Sequence, residues 1–497
     1  MPLQPMSRRA RVALALVFVC AALLRFHHVT QPPVDFHVTR QYNGALLAHS
    51  FYVNTHPNVP PAVKAAADAN RPAILEPPVV ELFSVGIDDL IGHETLLAAR
   101  LLSIVAWLTG GVAVFAIGRR LRTNRAGLVA AAIFELAPFA VIASRGFQPD
   151  PLGVGALAVA LYLLVRYEQA RTIGWLMAAA STAAVTAFFK ADLAPFLVVP
   201  FVVLAAARGM RCVFSARTAI YLGVCAAPAM AWTLFAFSST PGNYFIANFL
   251  TYASYWRGVG DQLNLSFGIP LLAATAVGIV ASTGLARRVL LGLVGAYAIF
   301  AVAFNYRVAT HSYYSLPAFI LVALSAGAAV EWIAEWLVAK RFDPLVIKGI
   351  GAVAFAGAAA VVVTDARAPD VRNGVAEIAR ARAIGPVVCH DPHALMVVPV
   401  YGVLEQYYGD IGGIPWPTLE DQYLSTLQGR RQPSAQARLN AYRRGGVRVA
   451  IVTDHTVLRA QPDLARALRQ YPVVARGPDW EVHDLDPSVA PTCPSLG

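Results

Sequence analysis

Long apolar stretches recur along most of this chain and restrict it to a membrane architecture. They measure about 16 to 24 residues, which is long enough to cross a bilayer once tilt and flanking anchors are allowed. The chain has 497 residues, 57% of them apolar and 14% charged, whereas a soluble domain carries about 25% charged residues. We predict a mainly α, polytopic membrane helical bundle of eleven spans, give or take one: 11–26, 96–118, 127–143, 151–165, 172–189, 193–207, 218–237, 267–284, 289–304, 315–338 and 346–363.

The distribution of basic residues indicates which side of the membrane each loop faces. The formal net charge is +11, but most arginines and lysines cluster beside alternate spans, as the positive-inside rule requires of cytoplasmic loops. This pattern argues against nucleic acid as a partner. We therefore predict a multi-pass protein of the cell (inner) membrane, with its N-terminus cytoplasmic and its C-terminal region extracytoplasmic. The clusters comprise Arg8, Arg9 and Arg11; Arg119, Arg120, Arg122 and Arg125; Arg166 and Arg171; Arg208, Arg211 and Arg217; Arg287 and Arg288; and Lys340, Arg341 and Lys348.

Two outer loops are long enough to hold structure of their own. Residues 27–95 contain an amphipathic helix near 42–52, placed in the membrane interface, and a second apolar helix at 79–90 that follows Pro77-Pro78. The polar stretch 54–71 is expected to be ordered only by packing or substrate. The second loop, 238–266, is rich in aromatic residues, which is typical either of an interfacial belt or of a platform for a sugar or lipid headgroup.

The composition changes after the last predicted span. Residues 364–497 are polar and mixed, with short strands expected near 387–389, 447–452, 473–474 and 480–482. Helices are expected near 371–383, 435–444 and 462–470. This alternation predicts a small α/β domain on the outer face, beside a transmembrane module of residues 1–363 that includes the loop 27–95.

Asp35 is the main catalytic candidate. It follows the stiff Pro32-Pro33 pair, just after the first span, and Arg40 lies five positions further on. A carboxylate at the mouth of a membrane bundle can accept a proton from an attacking hydroxyl, while a nearby cation binds an anion or orients the acid. A solvated loop acid is the alternative interpretation. Tyr42, in the same loop, is a candidate substrate contact.

Four basic residues on predicted outer loops are not explained by topology: Arg145, Lys190, Arg257 and Arg307. Each can bind a phosphate, or can serve only as a local ion-pair partner or a belt residue. Lys190 flanks Asp192 across a tight hairpin, and Arg145 and Asp150 bracket another outer turn. The stretch before the tenth span holds His311, Tyr313 and Tyr314, which with Arg307 form a candidate headgroup site.

No cofactor is certain from the sequence, and a divalent metal is left open. Asp35, His37, His49 and Glu76 are suitable ligand types, but their spacing matches no metal motif. The stretch Cys389-His390-Asp391-Pro392-His393 suggests zinc only weakly, because no second ligand pair follows it. Cys389 and Cys493 lie on the predicted outer side and can pair.

In combination, these residues resemble the GT-C glycosyltransferases of the dolichyl-phosphate-mannose protein mannosyltransferase and aminoarabinose transferase superfamily, over roughly residues 10–365. The resemblance rests on five motifs: the acid of the first outer loop (Asp35), the Pro-Pro motif before the second span (Glu76 to Val79), the loop Arg145 to Asp150, Lys190, and the His-x-Tyr-Tyr-x-x-Pro motif (His311 to Pro317). The sequence departs from the family where Phe36 follows Asp35, and where Glu76 replaces the lysine of many bacterial relatives. Arg40, Arg257 or Arg307 is expected to supply the missing cation.

The resemblance implies inverting transfer of a sugar from a polyprenyl-phosphate donor to an acceptor hydroxyl, with Asp35 as general base. The expected partners are that donor, a lipid, glycan or protein acceptor, and membrane lipids. Beside a non-catalytic membrane scaffold that acts through its C-terminal region, two alternatives stay open. One is a transporter or flippase of lipid-linked glycans, for which Glu135 within a span is the main candidate residue. The other is a glycan polymerase or ligase that uses the same kind of carrier.

Overall fold

The structure is a computed structural model that describes residues 5–236, 245–343 and 371–487. Packing divides the chain into two compact units. Unit 1 comprises residues 1–29, 74–79 and 100–369, and unit 2 comprises residues 30–73, 80–99 and 370–497. Most of the first outer loop, which the sequence assigned to the transmembrane module, therefore packs in the same unit as the C-terminal region.

Unit 1 is a bundle of apolar helices. Six described helices are long and apolar enough to cross a membrane, and Ile173–Phe189 and Ala191–Ala206 are shorter apolar helices. The expected polytopic helical bundle is thus confirmed. The helices of this unit are α1 Arg8–Phe26, α5 Leu97–Leu121, α6 Asn124–Leu136, α7 Pro138–Ala143, α8 Asp150–Ala170, α9 Ile173–Phe189, α10 Ala194–Ala206, α11 Met210–Val213, α12 Ala216–Ala236, α13 Ala253–Ala281, α14 Gly284–Ala303, α15 Asn305–Thr310 and α16 Ala318–Ala339.

Ten of the eleven predicted spans coincide with helical structure, and 346–363 lies outside the described residues. The span 127–143 is divided into α6 and α7 because Pro138 cannot continue the hydrogen-bond ladder. The later part of the predicted second outer loop, 238–266, is helical, since α13 begins at Ala253. Gly268, with φ 71°, and Pro270 bend α13 where the predicted span begins.

Small residues allow the helices of unit 1 to approach closely. A Cβ atom on Gly155 of α8 would lie 2.2 Å from the Ala106 carbonyl oxygen of α5, and one on Gly278 of α13 would lie 1.8 Å from the Ser325 carbonyl oxygen of α16. Packing of small residues is the usual way in which helices associate in lipid, where no hydrophobic driving force acts between them. These glycines therefore set the spacing of the bundle.

Unit 2 combines helices from the first outer loop with the C-terminal α/β region. The loop contributes α2 Val38–Thr55, α3 Pro61–Ala69 and α4 Val79–Ile91, and the C-terminal region contributes α17 Val371–Val387, α18 Val403–Tyr408, α19 Leu419–Leu427, α20 Ala435–Arg444, α21 His455–Ala460 and α22 Pro462–Leu468. Helix α3 forms within the polar stretch 54–71, which was expected to be ordered only by packing or substrate. Pro61 suits a helix start, and Ala66 and Ala67 are buried.

A five-stranded sheet lies at the centre of the C-terminal region, as the predicted α/β domain requires. Its strands are β1 Ala394–Val397, β2 Gly413–Pro415, β3 Val449–Val452, β4 Val473–Arg476 and β5 Glu481–Asp484, in the order β2-β1-β3-β5-β4. β1 pairs in parallel with β2 and β3, and β5 pairs antiparallel with β3 and β4. The strand predicted at 387–389 is wrong. Val387 ends α17, and Ile384 in its last turn and Val388 just after its end face the core under the sheet.

Candidate active site

Lys190 lies at the centre of a buried cluster in unit 1. Its Nζ atom is 3.0 Å from Glu76 Oε1, 3.1 Å from Asp150 Oδ1 and 3.1 Å from Asp192 Oδ2. The same atom lies 5.8 Å from the centre of the Tyr314 ring. Four of the five motifs behind the family resemblance supply these residues together, so segments far apart in sequence meet at one ammonium group. We call these five residues the Lys190 cluster.

Local structure explains how each member reaches the cluster. Lys190 is the extended residue that ends α9, and Asp192 lies in the single 3-10 turn before α10. Asp150 is the first residue of α8, where the helix dipole favours a negative charge. One turn later Gly153 lies against Lys190: a Cβ atom there would be 3.3 Å from the Lys190 Cβ atom. A larger residue at 153 would therefore crowd the lysine.

Arg145 holds the turn that precedes Asp150. The side chain is 1% exposed, and its Nη1 atom donates to the His27 carbonyl oxygen at 2.8 Å. Arg100 Nε donates in turn to the Arg145 carbonyl oxygen, also at 2.8 Å, and Arg100 Nη1 donates to the Val29 carbonyl oxygen at 2.6 Å. These contacts join the end of α1, the start of α5 and the turn 144–149. The predicted phosphate contact of Arg145 stays a prediction.

Arg307, His311 and Tyr313 form a second group in unit 1. Arg307 Nη1 lies 3.2 Å from His311 Nε2, and Thr310 Oγ1 lies 2.7 Å from His311 Nδ1. The Tyr313 ring meets the imidazole edge-on, with the ring centres 5.6 Å apart. Tyr314, the next residue, belongs to the Lys190 cluster. Because a guanidinium only donates, His311 Nε2 accepts the hydrogen bond from Arg307. The His-x-Tyr-Tyr motif thus lies between Arg307 and the Lys190 cluster.

Asn305 connects this motif to the second outer loop. Its Oδ1 atom accepts from the Ile246 amide at 3.1 Å, and its Nδ2 atom donates to the Ile246 carbonyl oxygen at 2.9 Å. The aromatic residues of that loop divide into two sets. Phe249 and Tyr255 are buried, whereas Tyr252, Trp256 and Arg257 are exposed. Arg257 therefore stands on an outward surface, and its phosphate contact stays a prediction.

Asp35 lies in unit 2, in the irregular turn that leads into α2. Its side chain is half-buried, and Arg40 is half-buried in the first turn of that helix. Gln41, fully buried, donates through Nε2 to the carbonyl oxygens of Pro33, at 3.1 Å, and Phe36. The backbone on both sides of Asp35 is therefore fixed while its carboxylate keeps some exposure, as a proton acceptor needs.

Tyr42 is fully buried in unit 2, and its hydroxyl shares a 2.9 Å hydrogen bond with the hydroxyl of Tyr408. The predicted helix around it exists, as α2, and one face packs against the C-terminal helix α18. Its expected place in the membrane interface and the expected substrate contact of Tyr42 both stay predictions.

The residues considered as metal ligands are engaged in other contacts. His49 Nδ1 lies 2.8 Å from Glu94 Oε2, and His49 Nε2 lies 3.3 Å from Asp410 Oδ1. Cys389 is disulfide-bonded, which removes it as a zinc ligand, and its expected partner Cys493 lies outside the described residues. Within residues 5–236, 245–343 and 371–487, no group of three or more His, Cys, Asp or Glu side chains is arranged to hold a metal.

Sequence reasoning missed a buried ion pair in unit 1. Arg25 Nη2 lies 3.3 Å from Glu135 Oε2, and both side chains are fully buried. Arg25 also donates to Ser144 Oγ at 2.7 Å and to the Glu135 carbonyl oxygen at 2.9 Å. A Cβ atom on Gly111 would lie 1.8 Å from Glu135 Oε1, so only glycine leaves room for this carboxylate. An arginine near the end of one span and a lone acid within another were the available signal.

Comparison with known proteins identifies the fold. A family model described as dolichyl-phosphate-mannose-protein mannosyltransferase matches residues 75–237, a stretch that contains Glu76, Asp150 and Lys190. The crystal structure of ArnT from Cupriavidus metallidurans bound to undecaprenyl phosphate is similar with a TM-score of 0.58, at 16% identity, over 96% of this chain and 98% of that chain. No curated protein sequence matches the chain.

Two structures of the Archaeoglobus fulgidus oligosaccharyltransferase are also similar. The apo form matches with a TM-score of 0.56, at 11% identity, over 93% of this chain and 73% of that chain. The complex with Zn and sulfate matches with a TM-score of 0.53, at 11% identity, over 92% of this chain and 71% of that chain. At these identities the matches establish the fold, and the GT-C fold indicated by the sequence motifs is confirmed.

Proposed function

We propose that the chain is a membrane glycosyltransferase that moves a sugar from a polyprenyl-phosphate carrier to an acceptor hydroxyl on the outer face, with inversion. One observation carries the proposal: Glu76, Asp150, Lys190 and Tyr314, from four of the motifs that resemble the family, converge at the Lys190 ammonium. The family model over residues 75–237 and the fold shared with an ArnT bound to undecaprenyl phosphate support the class of donor.

Asp35 is proposed as the general base. The acceptor oxygen forms a bond to the anomeric carbon, the bond from that carbon to the phosphate oxygen breaks, and Asp35 takes the hydroxyl proton. A polyprenyl phosphate monoester leaves. The clamp from Gln41 to Pro33 and Phe36 supports this role, because a base must be held within hydrogen-bond reach of the proton that it accepts.

The departing phosphate needs a cation, and Arg307 with His311 suits this task best. Both are half-buried, and Arg307 Nη1 donates to His311 Nε2 at 3.2 Å, which orients the guanidinium; partial desolvation strengthens its attraction to an anion. Lys190 already contacts three carboxylates, which favours a positioning role for it over direct phosphate binding. Tyr313 and Tyr314 would then face the sugar, and Arg40 and Arg257 are further candidates for the phosphate.

The test is turnover by the purified full chain offered a panel of polyprenyl-phosphate sugars, with unfolding protection as a second readout. Asp35→Asn should lower turnover by about 100-fold or more, the usual contribution of a general base, without lowering the unfolding temperature. Asp89→Asn is the matched control, since Asp89 is an exposed acid of the same unit. A fully active Asp35→Asn enzyme would refute the base role.

A glycan ligase is the second candidate. Similarity to the Archaeoglobus fulgidus oligosaccharyltransferase favours transfer of a whole glycan as a variant of the same chemistry. Adding lipid-linked oligosaccharides to the donor panel separates the two. A transporter is less well supported, because the mid-span acid Glu135 has a structural partner in Arg25. The side chains that we describe offer no suitable ligand set for a divalent metal, and no step is assigned to one.

A further inference from the structure

The loop that carries Asp35 is packed against the C-terminal α/β region. Val34, the residue before Asp35, lies against Gly374 of α17, where an added Cβ atom would come within 2.6 Å of Val34 Cγ2. Real Cβ contacts at that distance essentially never occur, so any larger residue at 374 must displace Val34. The Asp35 loop can therefore take this position only because residue 374 of α17 has no side chain.

Helix α2, onto which Gln41 fastens the Asp35 loop, is held by the same region. The Tyr42 and Tyr408 hydroxyls lie 2.9 Å apart, and the Tyr407 and Tyr408 rings meet the Tyr42 ring edge-on at 5.5 and 5.8 Å. Near the start of the helix, Thr39 Oγ1 donates to the Val400 carbonyl oxygen at 3.4 Å. The first two turns of α2 thus rest on residues more than 350 positions later in the chain.

Two further contacts fix the rest of the loop to the segment 410–413. His49, nearly two turns before the end of α2, lies between Glu94 and Asp410. Asn70, which ends α3, donates through Nδ2 to the Ile411 carbonyl oxygen at 2.8 Å and accepts from the Gly413 amide at 3.1 Å. Asn70 thus accepts from and donates to the backbone at the start of β2, as the backbone of a neighbouring strand would.

We propose that the C-terminal α/β region positions the catalytic base: Gly374, Tyr408 and Asp410 hold the 31–37 loop and α2 in the geometry that Asp35 needs. The inference rests on the proposed role of Asp35 and assigns the C-terminal region a part in the same reaction. None of these three residues is proposed to touch substrate. Each acts through Val34, Tyr42 or His49, so their loss should change catalysis more than donor binding.

Gly374→Ala tests the proposal with one methyl group. Gly86→Ala, on α4 of the same unit, is the matched control, because a Cβ atom there meets nothing within 4 Å. Amide hydrogen exchange of residues 31–42 in detergent reports the position of the loop without any substrate. We expect exchange to rise severalfold in Gly374→Ala and to stay unchanged in Gly86→Ala. Unchanged exchange in Gly374→Ala would overturn the proposal.

Steady-state kinetics with a donor from the panel tests the catalytic consequence. A displacement of about 1 Å is expected to lower kcat by about 100-fold, with KM for the donor within about twofold when donor contacts are left intact. The double variant Val34→Ala, Gly374→Ala removes the group that the methyl meets and should recover most of kcat. A normal kcat in Gly374→Ala, or no recovery in the double variant, would contradict positioning. Full activity of Asp35→Asn would instead refute the base role. The hydrogen-exchange result does not depend on that role, so the two failures can be told apart.

Discussion

The Lys190 cluster of unit 1 and the His49 group of unit 2 (His49, Glu94 and Asp410) both hold several carboxylates around one basic side chain. The basic side chain differs between them. In each, one buried basic residue contacts carboxylates from two distant segments: Lys190 contacts Glu76 and Asp150 as well as its neighbour Asp192, and His49 contacts Glu94 and Asp410. Lysine has three donors and can serve three carboxylates, whereas the two nitrogens of a charged imidazole serve one each. The number of carboxylates contacted, three against two, therefore follows from the chemistry of the basic group.

The two groups also differ in how they respond to pH. An ammonium keeps its charge across the physiological range, whereas histidine is the side chain that ordinarily titrates within it. Burial alone would lower the pKa of His49, but its hydrogen bonds to Asp410 and Glu94 outweigh burial and raise that pKa to about 9. The charge on His49, in the unit that carries Asp35, is therefore lost in alkali.

The largest effect is expected from removing the shared cation. Lys190→Met leaves three carboxylates without their ammonium, and breaking a buried ion pair in this way costs about 3–5 kcal/mol. The free energy of unfolding in detergent measures it, together with turnover of the panel donor. Lys64→Met, on α3 of unit 2, is the control, since Lys64 is only half-buried. Equal losses of unfolding free energy in the two variants would show that the ion pairs of the Lys190 cluster do not stabilise the protein.

The pH response should distinguish the two groups next. Because the pKa of His49 is raised, its contribution to stability is fully present below pH 6.5 and is lost as the pH rises through about 9. We expect the free energy of unfolding to fall over this window by a figure of the order of 3 kcal/mol. His49→Gln should flatten that fall. A variant that loses stability as steeply as the wild type would place the titrating group elsewhere.

A smaller difference is expected between two asparagines that hold backbone in the two units. Asn305 is fully buried, whereas Asn70 is half-buried. Asn→Asp replaces an amide donor with a carboxylate beside a carbonyl oxygen. We expect a loss of about 2 kcal/mol for Asn305→Asp and about 1 kcal/mol for Asn70→Asp, since a buried group left unsatisfied bears the full desolvation cost. Chemical unfolding of both variants measures the two losses of free energy. A larger loss in Asn70→Asp than in Asn305→Asp would contradict the prediction.

The smallest effect concerns one hydroxyl. Tyr408→Phe removes the hydrogen bond to Tyr42 and keeps both rings, which should cost about 1 kcal/mol. Tyr423→Phe is the control, because Tyr423 is 48% exposed. If the two variants unfold at the same denaturant concentration, the contact between α2 and α18 depends on ring packing alone.

Much of the fold was predictable because membrane helices have a strong local signal. Apolar length located ten spans in the described part of the chain, and Pro77-Pro78 and Pro138 explain a helix start and a helix break. The short strands were harder: β1 and β2 were missed, and the stretch at 387–389 proved to be the end of a helix. Four-residue apolar runs look alike in a strand and in a buried helical turn, and packing decides between them.

The residues of the candidate site were predictable from the sequence, but their contacts were not. The sequence alone singled out Lys190, because topology does not require a lysine in a predicted outer loop, and Glu76, Asp150 and Tyr314, because they belong to motifs that resemble the family. Charge, hydropathy and motifs are properties of short windows. Only the tertiary structure decided that Lys190 binds Glu76, 114 positions away, and that Val34 meets Gly374. Pairing across such distances depends on how whole helices pack, and a carboxylate or a glycine carries no local mark of the partner it will meet.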